Sequence, residues 1–448
     1  MGTYLIDWGG RAMNTAEESA TMRDYGFLMF ITLLNVMNFV DRQLLASFGN
    51  WIKPELELTN TEFGILTGLA FLLFYSVGGL FMGALADKYN RTRLIAIGLA
   101  FWSILTALSG AAKGFVSMLI PRMLIGVGES MMTPTAMSLL SDRFPARQLG
   151  FASGFYYMGV PVGVAASLFV VAYLEPILGW RGCFYLLGGI GVFLALLIVV
   201  FLREPKRKQV GQNPNEEQKV SFTEIVTTLI AALKNSPALL MTIGGGVAFH
   251  FILGAATFEQ LWYVQERGFD RSEIAEISGW IGIVGGVLGN LFGGIGGDKF
   301  LAKTGMGRPM FLFWIMLIFA PINVYFRFVD PSSLWFYAGL FAGFFQLGCF
   351  YGPTFSTVQE LVPPTIRGTV VGFYIVALNL IGVVIGVTAG GLMIDVLQAA
   401  GSTTAYTDTL LVFTLISLSA IPLFFFAGRR YDQDRRALYS SFDEGQSS

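Results

Sequence analysis

Four charged side chains interrupt two otherwise apolar runs: Asp41 and Arg42 within residues 25–46, and Arg122 and Glu129 within residues 115–140. Ionisable groups at bilayer depth are costly, so they face a bundle interior or an aqueous cavity and mark an ion or substrate pathway. Two carboxylates and two guanidinium groups can hold an anion, form a buried ion pair, or carry a proton whose affinity changes when a neighbouring charge moves. On a helix, Asn35, Asn38 and Arg42 stand at i, i+3 and i+7 and form one polar stripe; Arg122 and Glu129, seven apart, share another face. Both stripes are expected to face a cavity, with Asn35 and Asn38 lining it. At a rise of 1.5 Å per residue, Asp41 and Arg42 lie about 10 to 12 Å below the outer end of their helix, Arg122 about 10 Å below the outer end of its own, and Glu129 about 21 Å. Equal depth makes Asp41 and Arg122 the expected ion pair. Glu129 is then the proton-carrying carboxylate, with Asp41 beside it in the coupling, and Arg42 with Arg122 is left to hold an anionic headgroup.

Such residues need a membrane scaffold to position them, and composition supplies one. Of 448 residues, 54% are hydrophobic and only 13% charged, with a mean hydropathy of +0.62, far from the soluble norm of about a quarter charged. Twelve runs reach the roughly 20 apolar residues that a helical span needs, which makes the chain an all-α polytopic membrane protein of 12 transmembrane helices. The longest polar stretch, 203–236, separates six spans (25–202) from six more (237–428), with segments 1–24 and 429–448 at the ends. Inside that linker, Ser221 and Glu224 form a capping-box pattern ahead of an apolar-periodic run to Leu233, which predicts a short helix lying on the membrane surface. Lys and Arg number 21 on the side carrying both termini and 6 on the other, so the positive-inside rule places both termini in the cytoplasm.

Several classes are excluded on residues. A net charge of −1 leaves no basic stripe for nucleic acid. Cys183 and Cys349 lie far apart in apolar runs and read as packing residues, without metal or redox spacing. No P-loop or His-Glu-x-x-His pair occurs, and Gly128-Glu129-Ser130 lacks the second glycine of a nucleophile elbow, so neither an enzyme nor an ATP-driven pump is expected. No cofactor and no metal site is expected. The first two dozen residues lack the apolar core of a cleavable signal, and neither a myristoylation nor a prenylation pattern is present.

The two halves echo each other. Gly83-Ala84-Leu85-Ala86-Asp87-Lys88 closes the second span, and Gly294-Ile295-Gly296-Gly297-Asp298-Lys299 closes the eighth; Gly154-Phe155-Tyr156 likewise matches Gly372-Phe373-Tyr374. Parallel six-span halves around a midplane site are a transporter architecture. The segment from Gly83 through Asp87, Lys88 and Arg91 to Arg93 resembles the signature inner loop of the major facilitator superfamily, with Asn90 in place of the usual glycine and expected to take its left-handed turn. The resemblance implies two pseudo-symmetric six-helix halves and a cytoplasmic gate built from Asp87, Lys88, Arg91, Asp298 and Lys299. Asp87 is expected to latch onto the start of span eleven near Arg367 and Gly368, and Asp298 onto the start of span five near Arg147, because a carboxylate is favoured at a helix N-terminus.

Asn38-Phe39-Val40-Asp41-Arg42, together with Arg122-x-x-x-Gly126-x-Gly128-Glu129-Ser130 and Thr133-Pro134-Thr135, resembles the spinster branch of that superfamily. The stretch from Gly154 through Gly159, Pro161 and Gly163 is similar to its flexible fifth span, with Gly372 as the repeat partner. The resemblance implies alternating access, proton coupling and a lysolipid- or sphingolipid-like anionic amphiphile as cargo. A related branch carrying organic anions shares Asp-Arg in the first span, and a channel is the alternative from another class. The second half offers His250, Glu259, Gln346, Tyr351 and Asn379 among many Phe and Gly residues, so its cavity wall is expected to be greasy, with His250, Gln346, Tyr351 and Asn379 lining it. Protons, membrane lipids and a small amphiphile are the expected partners of a monomer in a bacterial cytoplasmic membrane.

Overall fold

The computed structural model describes residues 20–202, 204, 222–363 and 366–446. Among the described residues, eleven helices are long and apolar enough to cross a membrane, including Met22–Ser47, Phe115–Arg143, Pro237–Gln265, Arg271–Thr304 and Arg367–Ala399. Another, Gln148–Phe201, has 54 residues, about 80 Å at helical rise and more than twice a hydrocarbon core. Gly179 breaks it with φ 64°, a left-handed conformation that costs glycine nothing. Spans five and six therefore turn back at this point, and the crossings number twelve. The first and last described residues, Ala20 and Gln446, lie on one side, the terminal face, opposite a distal face.

Four of the site-bearing spans are not regular helices. Span four is interrupted at Ser130 and Met131, between helices Phe115–Glu129 and Met132–Arg143, because Pro134 has no N–H to give the Ser130 carbonyl. Span five breaks at Met158, three residues before Pro161. Spans two, five and eleven each contain a π-helical stretch, at Ile65–Leu69, Val170–Leu174 and Ala377–Val383. Wide turns of this kind leave carbonyls free and occur at functional sites.

The halves meet on the distal side. The Asp395 carboxylate accepts from the Asn60 and Thr61 backbone N–H groups and from both side chains at 2.6 to 2.9 Å, while the Tyr406 hydroxyl donates to Asn60 Oδ1 at 2.8 Å. Tyr173 donates to Glu276 at 2.6 Å. Backbones touch here as well: a Cβ on Gly64 would lie 2.7 Å from the Val387 carbonyl oxygen, and Gly286 packs on Pro161. Toward the terminal face the same spans part. Gly79, three helical turns beyond Gly68, and Gly150 and Gly154, three and two turns before Pro161, have nothing within 4 Å of a Cβ position, and neither have Gly368 and Gly372. Among the described residues, the polar contacts between the halves lie at the distal face, and these glycines toward the terminal face touch nothing.

Helix Phe222–Asn235 precedes span seven, where the linker pattern predicts one; the capping positions Ser221 and Glu224 lie outside the described side chains. Asn90 differs from expectation. It has φ −67° and ψ 114° and caps span three through its side chain, accepting from the Arg93 N–H at 2.9 Å. The turn needs a helix cap, at which Asn excels, rather than a left-handed residue. Both cysteines are buried free thiols.

Candidate functional site

Spans one to four bring the four charged residues together, with exchanged partners. The expected Asp41–Arg122 ion pair is not formed. Instead Arg42 Nη2 lies 3.2 Å from Glu129 Oε2, with Arg42 Nε at 3.3 Å from the same oxygen. Arg122 gives its donors to backbone carbonyls, at 3.4 Å from Leu66, 3.5 Å from Asp41 and 3.2 Å from Arg42. The reason is side-chain direction. Helical side chains lean toward their own N-terminus, so on span one Arg42 leans toward the terminal face, and on the oppositely running span four Glu129 leans to meet it. Arg122 leans distally, away from Glu129, and onto the end of span one and the π stretch of span two, where a spare carbonyl is available. Equal Cα depth ignored this lean.

Arg42 is boxed by aromatic faces, its guanidinium carbon 4.5 Å from the Phe39 ring centre, 4.9 Å from Phe71 and 4.4 Å from Tyr75. Contacts of this kind hold a cation without neutralising it. Its side chain keeps 17% exposure while that of Glu129 has none, so Arg42 is the member of the pair that a solute can reach. Asp41 is buried, accepts from the Trp102 indole N–H at 3.1 Å through one oxygen, and leaves Oδ1 without a partner. Glu129 Oε1 is also buried and unpartnered. Trp102, Phe71 and Tyr75 were not legible as site residues; only their aromatic character on polar-flanked spans hinted at it.

The remaining expected residues divide. Asn38 accepts from Arg42 at a long 3.4 Å and stays at the centre. Asn35 does not line the cavity: its amide donates to the Tyr156 carbonyl at 2.9 Å, beside the break in span five at Met158. Gly159 and Gly163 are close-approach positions, since a Cβ would lie 2.8 Å from Asn35 Nδ2 and 2.6 Å from the Val36 carbonyl. Gln346 also departs from the central cavity, accepting from Asn323 at 2.7 Å inside the second half. His250 is buried, bonded through Nδ1 to the Gly246 carbonyl at 2.8 Å and ringed by Phe249, Phe350 and Tyr351, and Asn379 lies half-buried in the π stretch of span eleven.

At the terminal face, Arg91 is buried against Asp142 at 2.6 Å and Glu204 at 2.7 Å, which ties the loop before span three to the ends of spans four and six. Asp298 pairs with Arg308 at 2.7 Å, and Arg308 with Glu360, so the contact that Asp298 makes is within its own half and not with span five. The side chains of Asp87 and Arg147 lie outside the described residues, as do the latches expected of them. Lys88 and Lys299 are exposed.

Twelve crossings, doubled six-span halves and a charged centre between broken helices define a membrane transporter, not an enzyme. The sequence pattern of the Major Facilitator Superfamily matches residues 31–387, and the chain belongs to that superfamily. Within it the chain is similar to proteins of several kinds: it is 25% identical over 431 residues to an MFS-type efflux pump of Mycolicibacterium smegmatis (94% of this chain, 96% of that one), and 25% identical over 445 residues to the probable sphingolipid transporter spinster homolog 2 of Arabidopsis thaliana (91% and 88%). Its fold matches the crystal structure of a bacterial homolog of the human lysosomal transporter Spinster, in an inward-facing and unoccupied conformation, with a TM-score of 0.79 at 22% identity, covering 92% of this chain and 98% of that one.

Proposed function

We propose that the chain is a proton-coupled secondary transporter of anionic amphiphiles of lysolipid or sphingolipid type, working by alternating access across a bacterial cytoplasmic membrane with both termini inside. The terminal face is then cytoplasmic. Arg42 receives the anionic head, and Glu129 and Asp41 carry the proton. One observation carries this reading: the reachable Arg42 is held by Glu129, a carboxylate with a spare buried oxygen. A proton on Glu129 removes the charge that competes for Arg42 and frees the guanidinium for an incoming anion; departure of the anion lets the pair re-form and expel the proton. Differential affinity of one ligand for two states is what such coupling requires. The greasy second half accepts the tail. Asp87 at the start of span eleven remains the proposed cytoplasmic latch for the opposite state.

The test is flux in liposomes across a panel of lysolipids, sphingoid phosphates and small organic anions. Glu129→Gln is expected to reduce pH-gradient-driven uptake to background while leaving counterflow of unlabelled for labelled substrate. Undiminished coupling in Glu129→Gln and Asp41→Asn alike sinks the proton assignment, and flux of sugar-acid-sized anions alone sinks the amphiphile.

A further inference from the structure

The linker helix and span seven form an elbow on the terminal face. Helix Phe222–Asn235 stops where Ser236, with φ −119° and ψ 91°, turns the chain, and Pro237 begins span seven. In the crook lies a groove of about 350 Å³, at the lower end of the range that holds a small molecule. One wall is Ile230, Leu233 and Lys234, and the other Pro237, Leu240 and Met241; each triplet has the i, i+3, i+4 spacing of a single helix face. Leu229, Ala232 and Leu233 pack on the core of the second half, which fixes how the linker helix is turned. Ile230 and Leu240 are left 45% and 55% exposed, so the groove is apolar and open to its surroundings.

Depth decides what those surroundings are. Because span seven starts at Pro237, Leu240 and Met241 sit about 5 to 6 Å inside its terminal end, at the boundary of headgroups and acyl chains where an amphipathic helix rests. Apolar side chains at that level meet lipid. Lys234 stands at the mouth, exposed, and among the described residues no carboxylate pairs with it. Asp434, the acid at the start of span seven, is buried and already accepts from the Ser236 hydroxyl at 3.0 Å and from the Ala238 N–H at 2.7 Å. A helical side chain leans toward its own N-terminus, which carries the Lys234 stem back over Ile230, one turn earlier, while the ammonium rises to headgroup level. The groove thus combines an apolar floor with an unpaired cation above it.

We propose that this elbow docks an anionic phospholipid of the surrounding bilayer, of the phosphatidylglycerol type, with its phosphate at Lys234 and the first part of one acyl chain in the groove between Ile230 and Leu240. Charge and depth select the same occupant: the floor lies at acyl level, the cation at headgroup level, and no acid lines the groove to repel a phosphate. A lipid seated there braces the linker, which joins the two six-span halves, against span seven. Neither Arg42 nor Glu129 takes part, so the site stands independently of the proposed cargo.

The test uses the full chain in phosphatidylcholine nanodiscs, with a fluorophore on Ala231→Cys, an exposed position beside the groove; both native cysteines are buried. Brominated phosphatidylglycerol and brominated phosphatidylcholine are titrated in separately, and quenching reports which lipid sits at the elbow. Phosphatidylglycerol is expected to reach half-quenching at an about fivefold lower mole fraction, the effect of one basic side chain at a membrane surface. Lys234→Gln, a change at an exposed position, should bring the two lipids level, and Lys234→Arg should keep them apart. Met241→Trp fills the groove and should raise the half-quenching fraction of phosphatidylglycerol by at least about fourfold, the loss of a single buried methylene. The proposal is overturned if the two lipids quench alike in the parent chain, if Lys234→Gln keeps the preference, or if Met241→Trp changes nothing. It is equally overturned if millimolar glycerol phosphate in the aqueous phase displaces the brominated phosphatidylglycerol, which makes the elbow a site for a soluble phosphate.

Discussion

Replacing Asp395 with Asn should open the distal seam. The carboxylate caps the first turn of span two from the opposite half: Oδ1 accepts from Asn60 N and Nδ2 at 2.9 and 2.8 Å, and Oδ2 from Thr61 N and Oγ1 at 2.8 and 2.6 Å. An amide of the same shape keeps one acceptor and turns an NH2 group toward the other two donors. Two bonds to a charged acceptor are then lost, at about 1.5 to 3 kcal/mol each before relaxation, together with about 0.3 to 1 kcal/mol of attraction to the helix N-terminus. Water satisfies part of this as the seam parts, so the net cost to the sealed state is about 2 to 4 kcal/mol. The lower figure is roughly a thirtyfold shift, which takes a distal-open population of about 1% to about a quarter. Spin labels on the exposed distal residues Lys113 and Thr403, one in each half, read this as a new long-distance population in pulsed electron resonance, with Asp395→Ala showing at least as much. An unchanged distribution in both variants, or a shift to shorter distances, refutes the assignment of Asp395 as the clasp.

Further outcomes follow from the same geometry. Arg42→Gln is expected to raise the half-saturating concentration of anionic cargo about 10- to 150-fold, the loss of one charge-assisted contact, measured as uptake against concentration; an unchanged value removes Arg42 from the headgroup site. Gly154→Leu with Gly372→Leu places side chains in open space at the terminal face, so thermal stability should stay within about 0.5 kcal/mol while transport is lost, because the halves can no longer close there. Full transport in the double variant shows that the terminal face never closes over these positions. On the distal side, the Trp180 indole, with Arg181 beside it, holds the Glu55 carboxyl below its ordinary 4.5. This contact is fully present above pH 4.5 and is lost as pH falls through the lower folded value. Trp180 fluorescence should therefore titrate with a midpoint below 4.5, and Glu55→Gln should remove the transition; a midpoint at or above 4.5 contradicts the contact.

Much of the architecture could be read from residue patterns because span length and charge sidedness are set by the bilayer itself. Three features escaped. The partner exchange at the centre turns on which way a helix runs, since a long side chain on an outward-running span and one on an inward-running span lean in opposite senses; Cα depth alone paired Asp41 with Arg122, whereas the lean pairs Arg42 with Glu129. Asn35 was misplaced because its partner, the Tyr156 carbonyl, sits beside the break in span five at Met158, a backbone event that a polar stripe does not reveal. Arg327 looked like an outer-loop charge, and nothing local says that it folds back over Trp262 to reach Glu259. A carboxylate on a helix terminus was anticipated for Asp87, whose side chain lies outside the described residues, and the same rule of helix ends operates at Asp395 on the distal face, which the residue pattern did not single out.

The unfilled glycines of the terminal face carry a pharmacological consequence. Gly79, Gly150, Gly154, Gly368 and Gly372 form a rim of bare backbone toward the terminal face, with no described side chain within 4 Å of a Cβ position. A rigid, flat inhibitor can lie against such a rim by shape alone and prop the two halves apart like a wedge in a hinge. It would need no charge, would leave the Arg42–Glu129 pair untouched, and would therefore block without competing with the cargo for its anchor.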